Sequence, residues 1–66
     1  MVSYDNLWSV MKQRKMTKTQ LRIAAKLSSS TFAKLAHNKL VSLDVLVRLC
    51  LVLNCQLSDI CTIVEK

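Results

Sequence analysis

The chain has no glycine and no proline among its 66 residues, so the turns on which β-hairpins and strand corners depend have no ready supplier. Aromatic residues are limited to one Trp, one Tyr and one Phe, so a core must come from Leu, Val, Ile, Ala and Met, which suits packed helices. Long apolar runs are missing too. The longest, VLVRLCLVL at 45–53, is broken by Arg48 and falls well short of the roughly 20 residues a membrane span needs. No basic segment leads into an apolar run at the start, so no signal peptide is expected and the expected location is cytoplasmic.

These absences also bound function. A chain this short buries only about 60% of its unfolded surface, which leaves little room for a deep catalytic cavity. It has no paired carboxylates, no adjacent Cys and His, and no Gly-rich phosphate loop, so neither an enzyme nor a bound cofactor or small-molecule ligand is expected. Cys50, Cys55 and Cys61 are an odd number in apolar context, far in sequence from the single His37. They read as structural thiols rather than a disulfide framework or a metal site.

What is present is apolar bulk, at 52% of residues, and positive charge. The net charge of +6 is unevenly spread: residues 1–41 hold eight Lys and Arg against Asp5 alone, whereas residues 42–66 are nearly balanced. A basic half of this kind is the electrostatic footprint of a polyanion partner, most often nucleic acid, although a solvated basic surface has the same composition. The reading is one all-α domain over residues 1–66.

Capping signals divide the chain into five expected helices. The first covers about 5–14, with Ser3 or Asp5 as cap and Leu7, Trp8 and Met11 along one side. Thr17 and Gln20 form a capping box that starts a second helix at Lys18, ending near Ala25, with Leu21, Ala24 and Ala25 inward. Ser28 caps a third over 29–37, with Phe32, Leu35 and Ala36 buried. Asn38 suits the left-handed residue that ends it, in a chain with no glycine for that place. Ser42 caps a fourth, LDVLVRLCLVLN, stopped by Asn54, and Ser58 caps a short fifth in SDICTIVEK. Helices two and three are separated by only about three residues, which makes the pair a helix-turn-helix.

The run MTKTQLRIAAKLSSSTFAKLAHNKLVSLDVLVRLCLVLNCQLSDI, residues 16–60, resembles the helix-turn-helix domain of lambda-repressor and Cro-like transcriptional regulators, the XRE-type family. It is most similar to their small single-domain members. With SYDNLW as the first helix, the resemblance covers most of the chain. It implies a compact five-helix protein that binds double-stranded DNA, commonly as a dimer. The sequence departs from the family pattern at Lys26, where glycine is usual in the turn, and at Asn38 and Lys39, where a glycine commonly follows helix three. Val47 and Leu51 also stand where charged residues are usual.

In this motif the second helix of the pair enters the major groove, and its outer face meets base edges. The expected base contacts are Ser29, Ser30, Ala33 and Lys34: serine donates or accepts, the methyl of Ala33 or of Thr31 meets a thymine methyl, and lysine reaches guanine acceptors or a phosphate. The expected phosphate contacts are Thr17, Lys18 and Thr19 at the start of helix two, with Arg22, Thr31, His37, Asn38 and Lys39 around them. N-capping alone accounts for Ser28. Serines discriminate bases poorly, so affinity is expected to come mainly from phosphates.

Exposed apolar groups on helix four, Val47, Leu51 and Val52, together with the C-terminal Ile60, Ile63 and Val64, point to a homodimer; the alternative is that they pack within the monomer against helix five. The expected function is a sequence-specific DNA-binding transcriptional regulator, in the first instance a repressor, bacterial or carried by a mobile element. The competing expectation is a protein-interaction module on the same fold with little base reading.

Overall fold

The computed structural model describes residues 1–65. Among them are four α-helices: α1 Asp5–Gln13, α2 Lys18–Ala24, α3 Ser29–Ala36 and α4 Leu43–Leu53. A 3-10 turn, Leu57–Asp59, follows, and two short strands, β1 Val2–Ser3 and β2 Thr62–Ile63, pair antiparallel with Val2 opposite Ile63 and Ser3 opposite Thr62. No helix among the described residues is long and apolar enough to cross a membrane.

The expected fifth helix is therefore corrected to a 3-10 turn and a strand; the domain is predominantly helical, with four helices and a short terminal ladder. The turn opens on a bond from the Gln56 N–H to Asp59 Oδ2 at 2.8 Å and ends after one turn, where Ile60 is fully buried in the core. Thr62, Ile63 and Val64 then run as three β-branched residues, which favour an extended backbone once a partner strand is beside them. Val64 N–H also donates to the Met1 carbonyl at 2.8 Å.

The first three caps after α1 form as the sequence indicates. Thr17 N–H donates to Gln20 Oε1 at 2.9 Å while Gln20 N–H donates to Thr17 Oγ1 at 3.1 Å, closing the capping box. Ser28 Oγ accepts from Thr31 N–H and Ser42 Oγ from Val45 N–H. At α1 neither expected cap serves. Tyr4 occupies that position, and Ser3 Oγ accepts from Asp5 N–H.

Each helix ends on a left-handed residue that is not glycine: Lys15, Lys26, Asn38 and Asn54, with φ of 57°, 57°, 55° and 52°. Behind each, the next amide reaches back five residues to a helix carbonyl: Met16 to Met11, Leu27 to Arg22, Lys39 to Lys34 and Cys55 to Cys50. These are Schellman closures, which satisfy carbonyls the helix leaves unpaired.

The core gathers Tyr4, Leu7, Leu21, Leu35, Leu49, Leu53 and Ile60, with Met11, Ala25, Leu27 and Leu46 around them. Ala24 and Ala36, expected inward, are exposed instead. Leu21 and Leu35 fill those faces, and a methyl group has so little area that its burial is decided by its neighbours: Ala25 lies inside, Ala24 and Ala36 do not.

Candidate nucleic-acid interface

The α2–α3 turn is built without glycine, and its carbonyls are held from two sides. Arg22 Nη1 donates to Leu27 O at 3.3 Å, and Arg48 Nη1 on α4 donates to Lys26 O at 3.4 Å. Arg48 is also paired with Asp44 at 2.9 Å. Arg22, expected on a phosphate, is half-buried and has one donor committed to this turn.

On α3, Leu35 is buried and Phe32 half-buried, which turns Ser29, Ser30, Ala33, Lys34 and His37 outward. The four expected base-contacting residues thus share one exposed face, and Ala36 joins them there. The serines are not equivalent. Ser28 Oγ donates to Thr31 Oγ1 at 3.0 Å and lies 3.1 Å from Ser30 Oγ, so Ser28, Ser30 and Thr31 form a cluster around the helix start. Since Ser28 has a single proton and gives it to Thr31, Ser30 is the donor to Ser28. Of the four hydroxyls, that of Ser29 alone makes no hydrogen bond among the described residues. Thr31 is half-buried, with its hydroxyl drawn into the cap.

At the other end of α3, Tyr4 connects to two residues expected to meet phosphate. Tyr4 N–H donates to Asn38 Oδ1 at 3.0 Å, and Tyr4 Oη donates to the Lys39 carbonyl at 2.9 Å. Asn38 therefore serves as helix terminator and as a tie to Tyr4 at the start of α1, leaving its amide nitrogen for any other partner. The side chains of His37 and Lys39 are exposed. Tyr4 itself is buried, and that burial, with the Cys61 thiol nearby, pushes its pKa up. This tie joins residues 34 apart in sequence, and no local pattern announces it.

At the start of α2, Lys18 Nζ lies 4.8 Å from the centroid of the Trp8 ring. Trp8 in turn meets Phe32 edge-on, with centroids 5.6 Å apart at 62°. Thr17 and Thr19 are exposed beside Lys18. Among the described residues the one ion pair is Arg48–Asp44, so Lys18, Lys26, Lys34 and Lys39 have no acidic partner to neutralise them. The expected positive surface on α2 and α3 is available to an outside anion.

The expected dimer surface divides in two. Val47 and Leu51 are exposed, Leu51 at 76%, and with Leu43 and Leu57, which the sequence reading missed, they border a groove of about 380 Å3 on α4. Leu43, Val47 and Leu51 follow a four-residue spacing, the pattern that marks one helix face. Ile63 and Val64 belong elsewhere: Ile63 lines a second hollow with Met1 and Leu40. Val52 is half-buried against the core, and Ile60, at 0% exposure, has no surface to offer a partner.

The three cysteines are half-buried free thiols. Burial, then the neighbouring Cys55, pushes the Cys50 pKa up to about 11, so this thiol stays protonated at neutral pH.

A family model for the Cro/C1-type helix-turn-helix DNA-binding domain matches residues 6–66. Among solved structures, the crystal structure of the transcriptional regulator VanUg superposes with a TM-score of 0.94 at 46% identity, over 98% of this chain and 87% of that one. The chain has no match among curated protein sequences.

Proposed function

The chain belongs to the Cro/C1-type helix-turn-helix DNA-binding domain family, and from that premise we propose a transcriptional repressor that reads the major groove with α3. The observation that carries this reading is the exposed α3 face of Ser29, Ser30, Ala33 and Lys34 in a lysine-rich surface with no acidic partners among the described residues. Ser29 and Lys34 are the principal readers, because Ser30 is engaged with the cap. Phosphate contacts come from Lys18, Thr17, Thr19, His37 and Lys39, with smaller shares from Arg22, Thr31 and Asn38, whose polar groups already serve the fold. Such a site binds with a steep salt dependence and modest discrimination between bases.

Two copies compensate for weak readers by doubling the contacts. The surface we assign to the homodimer is the α4 stripe of Leu43, Val47 and Leu51 with Leu57. Pairing through a two-fold axis would present two recognition helices about 34 Å apart and select a pseudo-palindrome.

Selection of bound sequences from a random duplex pool tests the whole reading. A recovered palindrome whose enrichment collapses in Lys34→Ala supports it. Equal binding to every duplex would favour a protein-interaction module instead. For the dimer, Leu51→Glu is expected to sediment as a monomer where the native chain sediments as a dimer at high micromolar concentration. A native chain that is monomeric there refutes this surface.

A further inference from the structure

We propose that Trp8 is a positioning residue for DNA binding: its ring holds the Lys18 ammonium ready for a phosphate and fixes that contact relative to the base-facing side of α3. The proposal rests on the reading of Lys18 as a phosphate contact. Three helices meet at this one side chain. Trp8 lies on α1, Lys18 is the first residue of α2, and Phe32 is on α3 between the half-buried Thr31 and the outward Ala33. The ring offers its face to Lys18 Nζ at 4.8 Å and meets Phe32 edge-on at 5.6 Å.

The chemistry of the contact suits a waiting cation. A lysine side chain otherwise spreads over many rotamers, and ordering it on a phosphate costs binding free energy. A ring face removes part of that cost in advance, because its quadrupole attracts the ammonium. Unlike a carboxylate, it neither neutralises the charge nor takes up the N–H donors in strong hydrogen bonds. Lys18 thus reaches a phosphate with its charge and its donors free. The edge contact with Phe32 adds a second effect. Phosphate contacts set the register in which base readers meet the groove, and Phe32 packs directly behind the face that carries Ser29, Ala33 and Lys34. Trp8 is the common neighbour of the anchor and the reading helix.

The test is a double-mutant cycle in the full chain, measured against a fixed duplex over a salt series. Lys18→Ala is expected to weaken binding and lower the salt slope by about one. Trp8→Leu is expected to weaken binding about two- to fivefold, the range for a cation over an exposed ring. In the Lys18→Ala background the same change is expected to have no further effect. Trp8→Phe, which keeps a ring, recovers most of the loss. If Trp8→Leu costs the same factor with and without Lys18, the ring serves packing alone and the proposal falls, while Lys18 keeps its phosphate role. If Lys18→Ala changes neither affinity nor slope, the phosphate reading fails and the proposal fails with it. If Trp8→Leu loses its helical circular dichroism, the cycle is run with Trp8→Phe. There a smaller coupling of the same sign supports the proposal and additivity overturns it.

Discussion

A lysine in the left-handed region brings its Cβ too near the following carbonyl, at a cost of roughly 1–2 kcal/mol that glycine escapes. Lys15 and Lys26 both bear this cost. Glycine gives back roughly 0.5–1 kcal/mol through its freer unfolded chain, so Lys15→Gly and Lys26→Gly are each expected to stabilise by about 0.5–1 kcal/mol, read as a higher urea midpoint at unchanged slope. Lysine has its own merit there, since positive charge beside a helix C-terminus suits the dipole. Asn38 behaves differently. Asn38→Ala keeps the strained φ and also strands the buried Tyr4 N–H, so a loss of about 2–3 kcal/mol is expected in the same measurement.

Helix starts were legible in the sequence wherever the cap is a local device. Thr17 with Gln20, Ser28 and Ser42 each bond an amide three residues on, and the same short range makes them recognisable by eye. The α3 cap predicts a separation of roles. Ser28→Ala is expected to cost about 1 kcal/mol of stability through the lost cap, whereas Ser29→Ala stays within about 0.5 kcal/mol yet lowers duplex discrimination. Thermal unfolding beside a competition titration distinguishes the two. What escaped the sequence depends on distant partners. Trp8 read as one more apolar residue because Lys18 and Phe32 reach it only in the folded chain. Ile60 read as surface because only the assembled core buries it, and SDICTIVEK read as helix because β2 makes sense only beside β1. The exposed face of α3 was legible because Phe32 and Leu35 fix the side that packs inward.

For the molecule as a whole, alkaline pH probes the core. The Cys50 thiol, ordinarily near 9, is pushed up to about 11, and Tyr4 is shifted in the same direction by burial. A folded state that holds these protons more tightly than the unfolded chain is favoured below pH about 9 and loses that contribution as pH rises towards about 11. The urea midpoint is accordingly expected to fall across this window, and Cys50→Ala is expected to flatten the decline. The ladder between Val2 and Ile63 acts at the same scale, because it shuts nearly the whole chain into one loop. Closing so long a loop in a disordered chain costs about 3–4 kcal/mol, far more than two short strands return, so the ladder is expected to form after the helices, read as amide exchange that is faster in β1 and β2 than in the helices. Tyr4 follows β1 directly and grips Asn38 and Lys39 at the end of α3. A purification tag or reporter fused at Met1 therefore pulls on a latch that leads to α3, and the attachment point becomes a variable in every affinity measured with it.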